Sequence, residues 1–212
     1  MDPRGCRPGG LSFLEKALHL YLTHPQVRID PAVPVPLWGL SPEGRARVER
    51  LCAAPWLRRF RRVVSSEETK AREAAGMIGA AMGVEVEVRP GLHENDRNAT
   101  GYLARAEFEA VADAFFARPD ESVRGWETAR AAQARIVSAV REALAAAPEA
   151  PALLVGHGAV GTLLKCALAG RAISRGEDQP EGGGSHLGFT MAPEALAYDW
   201  RPIEAPPGLT PR

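Results

Sequence analysis

The chain has little lysine. Only three of its 26 basic residues are lysines, Lys16, Lys70 and Lys165, so each stands out against a background of arginine. Cysteine is equally scarce, and Cys6, Cys52 and Cys166 are too few and too widely spaced for a disulfide framework or a CxxC metal site. They read as buried or incidental thiols. Charge of one sign is lacking too, with 26 basic and 26 acidic residues in 212. That balance gives no long-range attraction for nucleic acid or an anionic membrane, so anion recognition has to be local and a small ligand fits better than a polymer. No apolar run is long enough to span a bilayer, and MDPRGCRPGG lacks the apolar centre of a signal peptide, so a soluble cytoplasmic protein is expected. Neither HExxH nor a Cys/His cluster occurs, and no metal or cofactor is expected.

What is present is an alternation of strand and helix patterns. Ala17 to Thr23 reads as a strand, followed by the Pro-punctuated loop PAVPVPLWGL. Ser41 then caps a helix with Pro42 at its first position and Glu43 behind it. Phe60 to Ser65 reads as a second strand, Glu67 to Met82 as a second helix, and VEVEVRPG as a third strand of alternating period. LRRFRR reads as a solvated helix end. From about residue 95 to 147 the pattern is helical, and Ile136, Val140 and Leu144 share one helix face. PALLV and VGTLLKCALAG restore strand and helix, and HLGFTMAPEALAYDW reads as a closing hairpin or edge strands. The expected fold is one α/β domain over 1–212, three layers α/β/α around a mostly parallel sheet, with the helical insertion over its C-terminal rim.

Two histidines follow apolar runs, His24 after LHLYLT and His157 after ALLVG. The C-terminal ends of parallel strands are where such sheets gather ligands, so two strands delivering imidazoles there point to one site. SSEETKA and LHEND follow the second and third strands and would bring hydroxyls, a cation and a carboxylate to the same rim. A different reading attaches to Gly156, Gly158 and Gly161, whose spacing matches the dinucleotide fingerprint G-x-G-x-x-G. It remains a minor alternative, because no apolar strand precedes Glu177 or Asp178, where the ribose-binding acid would fall.

The order of these motifs resembles the histidine phosphatase superfamily, the group that includes phosphoglycerate mutases and many small phosphatases. Its Arg-His-Gly corresponds to Thr23, His24 and Pro25. Its serine pair followed by Arg-Ala corresponds to Ser65, Ser66, Lys70 and Ala71. Its acid corresponds to Glu94, with Asp96 close enough to be the alternative, and its closing His-Gly to His157 and Gly158. DESVRGWETARAAQARI looks like the family's Glu-Ser-x-x-x-x-Glu stretch before a long helix.

The resemblance implies a metal-independent phosphomonoesterase. His24 becomes phosphorylated, Glu94 acts as acid and then base, His157 stabilises the transferring group, and Thr23, Arg28, Lys70, Ser65 and Gly158 surround the phosphate. Phosphatase activity is preferred to mutase activity. The departures weaken the clamp, since Thr23 removes a bidentate guanidinium and Lys70 replaces a planar fork by a point charge. Arg28 is placed to compensate, Arg72 less so, and Arg97 and Tyr102 are candidates for a pocket lining. The expected partner is a small phosphorylated substrate or phosphate, with a homodimer possible and neither nucleic acid nor membrane involved. The rival class is a catalytically weak or inactive phospho-ligand binder that kept both histidines and lost the clamp.

Overall fold

Why the two histidines meet follows from the sheet. The computed structural model describes residues 17–208. Six strands form it: β1 (His19–Thr23), β2 (Arg62–Ser65), β3 (Val86–Val88), β4 (Ala152–Gly156), β5 (Ser185–Met191) and β6 (Glu194–Pro202), in the order β3-β2-β4-β1-β5-β6. The first four of that order are mutually parallel, and β5 and β6 close the sheet as an antiparallel hairpin. The near-continuous apolar runs of β1 and β4 are fully buried, as expected for strands covered on both faces.

Successive side chains leave a strand on opposite faces, and this alternation builds two cores. Leu20 and Leu22 of β1, Val63 of β2, and Leu153 and Val155 of β4 pack on one face with helices α1 (Pro42–Cys52) and α2 (Thr69–Met82). Tyr21, Val64, Ala152 and Leu154 point the other way, toward α3 (Arg105–Ala117), α4 (Ala129–Ala145) and α5 (Gly158–Leu168). The three-layer reading therefore holds. Ser41 caps α1 as its sequence predicts, accepting a hydrogen bond from the Gly44 amide at 3.0 Å, with Pro42 at the first helical position.

The helical stretch of residues 95–147 divides in two. α4 belongs to the outer layer and packs on α5, whereas the loop before α3 is the part that stands over the strand ends and walls a cavity there. LRRFRR is less solvated than expected. It contains the end of a 3-10 turn (Pro55–Arg59) that buries Leu57 and Phe60, and its Arg62 begins β2 in a bidentate pair with Glu87. Cys166 is buried, Cys52 half-buried, and Cys6 lies outside the described residues, as does the MDPRGCRPGG segment. Among the described residues, no helix is long and apolar enough to cross a membrane.

Candidate active site

β1 and β4 are neighbours in parallel register, with Thr23 opposite Gly156, so the residues that follow them lie side by side. The His24 amide donates to the Gly156 carbonyl at 3.0 Å, and the two imidazoles stand edge to face with centroids 5.2 Å apart. The tautomer of His24 is fixed by its neighbour. Nδ1 lies 2.9 Å from the Pro25 carbonyl oxygen, which only accepts, so Nδ1 carries the hydrogen and Nε2 keeps its lone pair. Burial, reinforced by the charge of Lys70, lowers the His24 pKa from 6.5 to about 4. At neutral pH the ring is uncharged.

His157 is fully buried, and burial holds its pKa well below the ordinary imidazole value. Its Nε2 is 2.8 Å from the Ser66 hydroxyl. Its backbone is gripped by Tyr21, whose hydroxyl accepts from the His157 amide at 2.9 Å and donates to the His157 carbonyl at 3.2 Å. Tyr21 also accounts for two of the three glycines. A Cβ at Gly156 would lie 2.2 Å from the Tyr21 hydroxyl, and one at Gly161 would lie 2.6 Å from its ring. The G-x-G-x-x-G spacing thus makes room for a tyrosine and not for a pyrophosphate. The acidic residues downstream are committed elsewhere, Glu177 to Lys165 and Arg171, Asp178 to the Thr162 hydroxyl, which removes the dinucleotide reading.

Glu94 comes from the loop after β3. Its carboxylate accepts from the amides of Ala159 at 3.2 Å and Val160 at 3.1 Å, so it caps the first turn of α5, where a negative charge is favoured. Burial nonetheless raises its pKa, outweighing the opposing charge of Arg97. A carboxyl that protonates more readily than usual is a suitable proton donor. The loop that carries it is tied down from α4. Arg135 donates to the carbonyls of Gly91, His93 and Glu94 and pairs with Glu127, which in turn exchanges backbone and side-chain hydrogen bonds with Asp96. Asp96 is exposed and serves this anchor, and it also accepts from the Asn98 amide.

The remaining residues singled out in the sequence fare differently. Lys70 is buried, donates to the Val35 carbonyl at 3.0 Å and pairs with Glu68. Ser65 turns its hydroxyl to the Ser66 carbonyl, so of the two serines it is Ser66 that touches His157. The Thr23 hydroxyl is taken up by the Gln179 side chain at 2.6 Å and by the Ser185 amide at 2.9 Å. Gly158 opens α5, facing Gln179 so closely that a Cβ would lie 2.6 Å from its Nε2. Arg28 and Arg72 are exposed and make no side-chain hydrogen bond within the cluster among the described residues.

Sequence reasoning passes over Glu68, which is central here. One oxygen accepts from the Glu94 amide at 2.8 Å and lies 3.6 Å from His157 Nε2, while the other meets Lys70. Burial, the largest influence, pushes its pKa up, but His157 and Lys70 outweigh burial and bring it down to about 2. The site therefore holds a permanent carboxylate beside its buried lysine. Above it opens a cavity of about 820 Å³, walled by the loop of residues 31–37, by Glu67, Glu68 and Glu94, and by Arg97 and Tyr102.

The histidine phosphatase superfamily (branch 1) matches residues 32–189 of the chain, a span that leaves out β1 and the triplet Thr23-His24-Pro25. No curated protein sequence matches significantly. Among solved structures, a mycobacterial glucosyl-3-phosphoglycerate phosphatase with inorganic phosphate superimposes with a TM-score of 0.69 at 22% identity, covering 89% of this chain and 99% of that one. A phosphoserine phosphatase from Entamoeba histolytica in complex with 3-phosphoglyceric acid gives 0.70 at 14% identity, covering 88% and 98%. YhfR of Bacillus stearothermophilus gives 0.70 at 17%, covering 84% and 93%. With most of its length matched to that family, and with the paired histidines standing where the parallel strands end, the chain belongs to the histidine phosphatase superfamily.

Proposed function

We propose that this protein hydrolyses phosphomonoesters of small molecules through a phosphohistidine formed on His24. The observation that carries the reading is the orientation of that ring, with Nδ1–H held by the Pro25 carbonyl, Nε2 left with its lone pair, and His157 packed against it. In the first step Nε2 attacks phosphorus as the ester P–O bond breaks, and Glu94 passes its proton to the departing alkoxide. In the second, water attacks the phosphohistidine, Glu94 takes the proton back, and inorganic phosphate leaves. His157, Lys70 and the Gly158 amide at the start of α5 surround the transferring group. Both steps use groups of this chain alone.

The two shifts give a pH dependence. His24 is competent above about pH 4, where it is neutral, and Glu94 is competent as acid below its own raised pKa. The profile of kcat/KM rises through about pH 4 and falls again above the raised pKa of Glu94, and Glu94→Gln removes its falling limb.

The test is phosphate release from a panel of small phosphomonoesters, without added metal, by the wild type beside His24→Ala. Release falls by about three orders of magnitude or more in the variant, and acid-labile phosphate appears on the wild-type protein only. Release equal in both proteins on every ester, with no labelled protein, would sink the catalytic reading. A phospho-ligand binder is then the reading that Glu68 and Thr23 favour, and it shows as phosphate-induced thermal stabilisation without turnover.

A further inference from the structure

A phosphate brought to His24 carries close to two negative charges, and the cations expected to receive it are occupied. Lys70 is paired with Glu68 and bonded to the Val35 carbonyl. Arg135 is fully engaged with Glu127 and three loop carbonyls. The first-strand guanidinium is replaced by Thr23, whose hydroxyl is committed to Gln179 and Ser185. Arg97 is different. It lines the cavity beside Glu94, and among the described residues its guanidinium makes neither an ion pair nor a hydrogen bond. It lies instead across two aromatic rings, with Cζ 4.9 Å from the Phe108 centroid and 6.0 Å from that of Trp126. A half-buried arginine with five donors unspent has a face suited to an oxyanion.

The loop presenting it is built to hold still. The Arg97 carbonyl accepts from the amides of Thr100 and Gly101, both at 3.1 Å, and Trp126 Nε1 bonds the Thr100 hydroxyl at 2.9 Å. Asp96, its neighbour, is doubly bonded to Glu127. The backbone is therefore fixed on both sides while the side chain rests on apolar faces, so a ligand would meet a guanidinium already ordered. The charge of Arg97 also reaches the active groups, opposing the burial-driven rise at Glu94 and adding to the lowering at His24.

We infer that Arg97 is the phosphate clamp of this site, supplying from the loop after β3 the guanidinium that the end of β1 lacks. This rests on reading the His24 site as an anion site, and it does not require turnover. The chemistry recognised is a phosphoryl group, and a substrate carboxylate is the competing source of the same attraction.

The experiment measures binding of inorganic phosphate alone, by thermal stabilisation and by competitive inhibition, in wild type, Arg97→Lys and Arg97→Gln. The affinity for phosphate falls by about tenfold to a hundredfold in Arg97→Gln, the loss expected for charge-assisted hydrogen bonds, and by an intermediate factor in Arg97→Lys, which keeps the charge without the fork. Melting temperatures without phosphate report whether each variant folds, and Arg97→Lys carries the test where Arg97→Gln does not. Unchanged phosphate affinity in the variants overturns the assignment. If only the KM of a carboxylate-bearing ester then rises, Arg97 holds the distal part of the substrate instead. Wild-type protein that phosphate fails to stabilise or inhibit also overturns it. Phosphate binding that depends on Arg97 without any ester hydrolysis would leave this assignment standing while removing the catalytic one.

Discussion

At the scale of single residues, the charge balance of this site turns on one carboxylate. Thr23 brings no cation to the end of β1, and Glu68 brings an anion that Lys70 must satisfy before any ligand arrives. Two like charges in one buried pocket repel by several kcal/mol even at an effective dielectric constant of about 20. Glu68→Gln should therefore tighten competitive inhibition by inorganic phosphate about tenfold, a gain of about 1.4 kcal/mol, while costing roughly 1–3 kcal/mol of stability because the buried Lys70 loses its counter-charge. The destabilisation should shrink as phosphate is added and takes over that role. Urea melts with and without phosphate check both halves, and weaker inhibition in the variant would show that Glu68 helps to seat the anion. Little of this was legible beforehand. His24, His157, Lys70 and Glu94 stand out by type and by position after strands, but Glu67-Glu68 reads as an ordinary acidic pair. Which of the two turns inward depends on how β2 hands over to α2, and a fully buried Ser66 with Lys70 behind it becomes visible only in three dimensions. From the sequence Arg97 reads only as a candidate pocket lining, because its value depends on what its neighbours have already bonded.

At the scale of elements, local chemistry was readable and remote chemistry was not. The Ser41 cap of α1 and its Pro42 lie within four residues of what they serve, and the structure bears them out. The cap of α5 comes from Glu94, 65 residues before Ala159, so no window of sequence contains both partners. The same distance explains the glycines, since the partner that forbids a side chain at Gly156 and Gly161 is Tyr21 on another strand. Glu94 thus has two duties that substitution separates. Ala159 and Val160 donate to different oxygens of Glu94, so Glu94→Gln keeps an acceptor for one of the two amides, and its stability should fall by less than that of Glu94→Ala while kcat falls by about two to four orders of magnitude. Glu94→Ala should lose the same activity and about 1 kcal/mol besides, the usual worth of a capping acceptor. Chemical denaturation of the two variants side by side distinguishes them. Equal stabilities would mean that water replaces the cap at no cost.

At the scale of the whole molecule, the mostly parallel sheet and its two cores were legible because alternation of strand and helix is a periodic property of the sequence. What periodicity could not show is how many histidines the sheet would bury. His19 in β1, His24 and His157 at the rim, and His186 in β5 all have lowered pKa values with burial as the leading cause, the first, second and fourth brought from 6.5 to about 4. His186 is furthest from the chemistry, held between the Tyr198 hydroxyl at 2.9 Å and the Ala205 carbonyl at 3.0 Å. Between about pH 6.5 and 4 the unfolded chain binds protons at these rings and the folded one does not, so acid favours unfolding in that window. Their stabilising contribution is complete above about 6.5 and is lost as pH falls toward 4, before the lowered carboxylate of Glu68 begins to matter between its ordinary 4.5 and about 2. The urea midpoint should therefore decline steadily from pH 7 to 4, with protons taken up on unfolding. His186→Gln, which replaces one of these rings by a group that does not titrate, should be less stable at pH 7 yet show a shallower decline. A midpoint that stays flat from pH 7 to 5 in the wild type, or an identical slope in the variant, would mean that the buried histidines are protonated in the folded sheet.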